Sequence, residues 1–179
     1  MKILFVVGGS YKAFYLNNIH KYKKLDLIIF QENILYEYDY YNELLGEQTI
    51  TNEMISLAKK FKCKIIAKIK TNLCGIKKDE ILYCDKNGVK IINNNRFLKI
   101  CVKDKQICIS NYYLTNKSDY FIYFFKNKND FYLSENRTRQ CNYLNKSAIF
   151  VCDKFGVDLL INKNMTRKFR KICYFSLNF

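Results

Sequence analysis

An α/β fold is predicted for this chain of 179 residues by three observations. Short apolar runs recur, and two of the first three are separated by a segment patterned as a helix. One of them, Leu27 to Phe30, is apolar without alternation, as in a strand buried on both faces. No uninterrupted apolar run approaches the roughly 18 residues of a membrane helix, and 49% of the residues are hydrophobic, so a packed core is expected. One domain over residues 1–179 is the expectation at this length.

Lys2 to Val7 reads as the first strand, closed by Gly8-Gly9-Ser10. The run is too short for a signal-peptide core and lacks a small-residue cleavage site, so a cytoplasmic protein is expected. The glycines form neither G-x-G-x-x-G nor a phosphate loop ending in Gly-Lys-Ser. Tyr11 to Lys24 is expected as a helix capped at Ser10. As a crossover it makes the first two strands parallel. Glu32 follows the second strand and is placed at its C-terminal mouth, where open α/β sheets put their chemistry. Alone, it reads more readily as a carboxylate leaving the core for solvent.

The aromatic, acidic stretch Tyr36-Glu37-Tyr38-Asp39-Tyr40-Tyr41 reads as a pocket lining or a surface loop. A helix is expected from Thr51, with Met54, Ile55, Leu57 and Ala58 at helical spacing and Lys59-Lys60 at the end where cations suit the dipole. Further strands are predicted over Cys63 to Ile69, Glu80 to Tyr83 and Val89 to Ile92, the last two joined by a turn at Asp85-Lys86-Asn87-Gly88. Phe97 to Val102 and Gln106 to Ser110 form a second hairpin around Lys103-Asp104-Lys105. Tyr120 to Phe125, Ala148 to Cys152, Val157 to Ile161 and Ile172 to Leu177 complete the strands, with a polar turn around Asn162-Lys163-Asn164. No internal repeat is visible.

The net charge of +15 invites nucleic-acid binding. Yet Lys, Asn, Ile, Tyr and Phe share A/T-rich codons, and apart from Lys163 to Lys171 the cations are scattered. Nucleic acid is therefore disfavoured as a partner, and no membrane partner is expected. Eight cysteines are present without a C-x-x-C pair, and His20 is the single histidine, so a zinc site has no usable spacing. Most of the cysteines read as small buried hydrophobes, and His20 reads as a surface residue.

The order of these elements resembles the nitrilase, or carbon–nitrogen hydrolase, superfamily. Leu25-Asp26-Leu27-Ile28-Ile29-Phe30-Gln31-Glu32 is similar to that family's D-L-I-V-F-P-E segment, with Gln31 in place of proline. Leu57-Ala58-Lys59-Lys60-Phe61 resembles its L-A-K-E helix. Ile81 to Gly88 resembles its D-x-D-G hairpin, and Asn145 to Gly156 its late E-N-x-x strand, with Asp153 where asparagine is usual. The resemblance implies a trimmed nitrilase-like α-β-β-α two-sheet sandwich and a Glu-Lys-Cys site that cleaves small amides or nitriles. In such a site a thiolate attacks carbon to give a thioester-type intermediate, glutamate moves protons, and lysine holds the oxyanion, with no cofactor or metal. It also allows a homodimer.

Carried onto this chain, the glutamate is Glu32. The place of the lysine holds Asn93 to Phe97, where Arg96 is the nearest cation, with Lys90 and Lys99 as alternatives. The cysteine is Cys108 by the match of Ile107-Cys108 to I-C, but counting from the turn puts the nucleophile between Ser110 and Tyr112. The helix that normally follows is deleted, leaving Tyr113 to Lys117 before the next strand. Two functions stay open: a carbon–nitrogen hydrolase acting on a small amide or nitrile, or an inactive homologue serving as a binding or partner protein.

Overall fold

The computed structural model describes residues 1–7, 21–22, 24–30, 49–73, 76–93, 97–110, 118–124, 148–152, 157–161, 164–168 and 172–176. It has one described helix, α1 (Thr49–Phe61), and twelve strands. These are β1 (Lys2–Val6), β2 (Leu27–Phe30), β3 (Lys64–Leu73), β4 (Ile76–Asp85), β5 (Gly88–Asn93) and β6 (Leu98–Val102), followed by β7 (Lys105–Ser110), β8 (Tyr120–Phe124), β9 (Ala148–Cys152), β10 (Val157–Ile161), β11 (Asn164–Lys168) and β12 (Ile172–Ser176). Residues 11–20 of the helix predicted over Tyr11 to Lys24, and the loop from Tyr36 to Tyr41, lie outside the described residues, His20 with them; at the predicted helix end Lys24 is left-handed (φ 57°) and not helical.

Two six-stranded sheets form, ordered β12-β1-β2-β3-β4-β5 and β11-β10-β9-β8-β7-β6. Each has a core of three parallel strands, β1-β2-β3 in the first and β7-β8-β9 in the second. Antiparallel strands flank both cores in equivalent order, so the second sheet repeats the topology of the first. The repeat extends to side chains. Asp26, just before β2, accepts the Lys2 N–H at 2.7 Å and donates its own N–H to the Lys2 carbonyl at 2.9 Å. Asp119, just before β8, does the same with Gln106, at 2.7 and 3.0 Å. The sequence hides this duplication, because beyond the topology the two halves share little more than the aspartate and a few core isoleucines, such as Ile3 with Ile107 and Ile29 with Ile122.

Strand alternation sorts the apolar residues into two cores. Ile3, Phe5, Leu27, Ile29, Ile66 and Ile81 face Ile107, Ile109, Tyr120, Ile122, Phe124 and Val157 between the sheets. Phe5 meets Phe175 edge to face at 5.6 Å. On the other face of the first sheet, Leu4, Val6, Ile28, Phe30, Ile65, Ala67 and Leu82 pack under Met54, Leu57 and Ala58 of α1. Each fully buried side chain of this size contributes about 1.5–3 kcal/mol. The parallel strands thus bury both faces, which is why Leu27–Phe30 lacks alternation.

α1 ends at a left-handed Lys62 (φ 52°). The Lys62 N–H reaches the Lys59 carbonyl at 3.2 Å and the Cys63 N–H the Ala58 carbonyl at 3.1 Å, the paired bonds of a Schellman cap. The β4–β5 hairpin turns at Asp85-Lys86-Asn87-Gly88, as expected. Its two loop residues are Lys86 and Asn87, since Asp85 pairs with Gly88. The Asp85 carboxylate closes it by accepting the Asn87 N–H at 2.8 Å, and Gly88, at φ 152°, opens β5 in a conformation only glycine adopts freely.

Two expectations need correction. Strands β3 and β4 run further than predicted, to Leu73 and from Ile76, because polar residues there continue the ladder. The segment Asn164–Lys168, taken with the polar turn, is an edge strand on β10; its charges suit an open edge and hid it from pattern reading. Cys101 is exposed, whereas Cys63, Cys84 and Cys108 are buried as expected. Among the described residues no helix is long and apolar enough to cross a membrane, and no group of three or more potential metal ligands occurs.

Candidate active site at the strand ends

The two ends of the sandwich are distinguishable. Asp26 and Lys64, at the starts of β2 and β3, meet the β6–β7 turn: Lys103 Nζ lies 2.8 Å from Asp26 Oδ1, and Lys64 Nζ donates to the Cys101 carbonyl. β7 leaves that turn and runs the same way as β2. Phe30, Ser110 and Phe124 therefore end their strands at one common mouth.

Glu32 follows Phe30 by two residues in sequence, and Arg96 precedes Phe97; both lie outside the described residues. Cys108 lies two residues before the end of β7 and is 1% exposed. It alternates with Ile107 and Ile109, so it sits on the face of the second sheet turned away from the inter-sheet core. Its neighbours in register are Lys99 on β6 and Phe121 on β8. Burial pushes the thiol up to about 11, against a smaller lowering by the Lys99 charge. A reactive thiolate requires the opposite balance.

The duplication gives Cys108 a counterpart. Leu4 pairs with Ile28 as Cys108 pairs with Phe121, counted from the two matching aspartates. Leu4 is a core residue packed beneath α1. Cys108 thus occupies a position that the first half fills with an ordinary hydrophobe. Ser110, the counterpart of Val6, is the last residue of β7 and is also buried.

Of the candidate cations, Lys99 is exposed, with its Nζ 5.5 Å from the Phe97 ring centre, and Lys90 is exposed on the edge strand β5 opposite Tyr83. Among the described candidates only Lys99 is brought to Cys108, and it lies on the solvent side. Sequence reasoning missed a better-placed cation. Lys68 of β3 lies one step beyond the Ala67–Phe30 pair, alternates with Ile66 onto the inter-sheet face, and is only 4% exposed. The available signal was a lysine interrupting the apolar run Ile65 to Ile69 near the mouth, the same logic that selected Glu32. A buried ammonium there can hold developing negative charge on a substrate oxygen.

No protein-family model matches the sequence, and neither does any curated protein. Solved structures do match. A carbon–nitrogen hydrolase superfamily protein from Xanthomonas campestris, with an arsenic adduct in its active site, superposes with a TM-score of 0.65 over 99% of this chain and 90% of its own, at 8% identity. A branch 10 nitrilase-superfamily member of Saccharomyces cerevisiae gives a TM-score of 0.66, covering 97% and 88%, at 11% identity. A glutamine-dependent NAD(+) synthetase from Cytophaga hutchinsonii gives 0.54 at 10% identity, with 98% of this chain matching 42% of that larger one. With its two stacked sheets, parallel strand cores and α1 on an outer face, this chain has, in trimmed form, the fold of the nitrilase or carbon–nitrogen hydrolase superfamily.

Proposed function

We propose that residues 1–179 form one shortened domain of the carbon–nitrogen hydrolase superfamily that has given up thiol catalysis and serves as a binding or partner protein. The observation that carries this is the place of Cys108: mid-strand, buried, equivalent to Leu4, and with its thiol pushed up to about 11. Counting from the turn, the nucleophile position falls between Ser110 and Tyr112, and Cys108 lies short of it.

A second reading is favoured by Glu32 after β2. In it the chain hydrolyses a small amide or nitrile through a Cys108 thioester, with Glu32 moving the proton and Arg96, or Lys99 in register with Cys108, holding the oxyanion. Neither reading calls on a cofactor or metal, and a homodimer is compatible with both.

Thiol alkylation of the folded protein, mapped by mass spectrometry across pH, separates them. A thiol at about 11 instead of the ordinary 9.0 carries about 100-fold less thiolate near pH 8. Under the first reading, exposed Cys101 is labelled before the buried Cys63, Cys84 and Cys108, Cys108 stays slow until strongly alkaline pH, and no ammonia is released from small amides or nitriles. Selective labelling of Cys108 at neutral pH, with ammonia release lost in Cys108→Ala and nearly lost in Glu32→Gln, would establish the second reading instead.

A further inference from the structure

At the end of the sandwich away from the mouth lies a pocket of about 550 Å³. Its floor is Ala58 and Cys63, and its rim carries Lys59, Lys62, Lys64 and Lys86 around the single lining carboxylate, Asp85. That carboxylate is already committed: it accepts the Asn87 N–H at 2.8 Å and the Tyr83 hydroxyl at 3.0 Å, and these bonds hold it below the usual carboxylate range. Lys64 is held by the Cys101 carbonyl, leaving Lys59, Lys62 and Lys86, all exposed, to set the field. Four cations against one carboxylate make the rim strongly positive.

Two further features suit an anion. A helix C-terminus ordinarily repels negative charge, but here the Ala58 and Lys59 carbonyls are taken up by the Cys63 and Lys62 N–H groups. The cap residue itself is Lys62 at φ 52°, where glycine would be relaxed and lysine is strained. Strain kept at a cavity rim points to use of the side chain.

We propose that this pocket binds a small polyphosphate anion, of the size of a diphosphate group with its attached moiety, through Lys59, Lys62 and Lys86. The site is independent of the mouth, so it stands whether or not Cys108 is catalytic. A half-open concavity of this volume suits a small molecule better than a nucleic-acid duplex.

The test is calorimetric titration of the intact protein with inorganic pyrophosphate at low salt. One saturable site is expected, weakening as salt rises. Lys62→Glu and Lys86→Glu should each weaken it by roughly tenfold, as an attraction becomes a repulsion. Lys60→Glu changes net charge equally from a position outside the lining and should shift affinity by less than about twofold. Lys62→Gly separates binding from folding: it relieves the left-handed strain, so thermal stability should hold or rise while pyrophosphate affinity falls. The proposal is overturned if Lys60→Glu costs as much as Lys62→Glu, or if no saturable site appears. Tighter binding of a short single-stranded oligonucleotide, unaffected by the pocket variants, would overturn it too.

Discussion

The two sheets are built to one plan and filled with different residues. In both, an aspartate ties the start of the first parallel strand to the start of the second: Asp26 to Lys2, Asp119 to Gln106. In both, the central strands are buried on two faces. The first sheet fills its outer face with Leu4, Val6, Ile28 and Phe30 beneath a helix. The second puts Cys108, Ser110, Phe121 and Tyr123 at the equivalent places, with the Phe121 and Tyr123 rings stacked at 6.0 Å. Equivalent backbone therefore carries three aliphatic side chains and one phenyl ring in one half, and a thiol, a hydroxyl and two aromatic rings in the other. A catalytic cysteine cannot be assigned from its residue type alone, since the scaffold asks for a buried side chain at that point in either sheet.

The sharpest way to break the comparison is to truncate its matched pair. Leu4→Ala removes a fully buried side chain under α1 and should cost about 2–5 kcal/mol in urea unfolding. Cys108→Ala removes only a sulfur and should cost about 1 kcal/mol, while Cys108→Val should lie within about 1.5 kcal/mol of the parent. If Cys108→Val unfolds the protein, the thiol is making a bond that its hydrophobic counterpart does not.

A smaller difference is expected between the two aspartates. Asp119→Ala removes one bond to a backbone N–H and should cost about 1 kcal/mol. Asp26→Ala removes the matching bond and also the contact with Lys103, and should cost about 1.5–2 kcal/mol. Equal costs would mean that the Lys103 contact, whose lysine side chain is 65% exposed, adds nothing. Raising the salt concentration should narrow the gap between the two variants, since only Asp26 has lost an ion pair.

Much of this plan was legible beforehand, and the failures share a cause. β1, β2, α1 and the hairpins were readable because apolar periodicity marks whatever contacts a core. β11 was not, because an edge strand with Thr166, Arg167 and Lys168 has little core to contact and its pairing is backbone alone. Lys68 escaped because a lone lysine in an apolar run looks like surface until the register with Phe30 places it at the mouth. The duplication was invisible for the same reason that Cys108 was ambiguous: topology, one hydrogen-bonding aspartate and a few core isoleucines are shared between the halves, while most of the packed side chains differ. The family order of motifs picked out Glu32, two residues past β2 and outside the described residues, and no motif reported which face of β7 Cys108 would take.

The smallest effect belongs to the turn that joins the halves at their closed end. Val102 and Lys105 pair across a two-residue loop, and both loop residues, Lys103 (φ 49°) and Asp104 (φ 62°), are left-handed. Such a turn favours Asn-Gly, and a lysine in it is strained. Asp104→Gly should therefore stabilise the protein by about 0.5–1 kcal/mol, offset in part by the greater freedom of glycine in the unfolded chain. Lys103→Gly relieves more strain but breaks the 2.8 Å contact with Asp26, an exposed pair contributing about 0.5 kcal/mol. Its net gain should be no larger than that of Asp104→Gly, and adding Asp26→Ala to each variant tells the two apart. In the Lys103→Gly background the aspartate should cost what Asp119→Ala costs, because the ion pair is already gone; in the Asp104→Gly background it should cost its full amount. If the aspartate costs the same in both backgrounds, Lys103 does not seal the closed end, and the first sheet's extra tie to the turn rests on Lys64 and the Cys101 carbonyl alone.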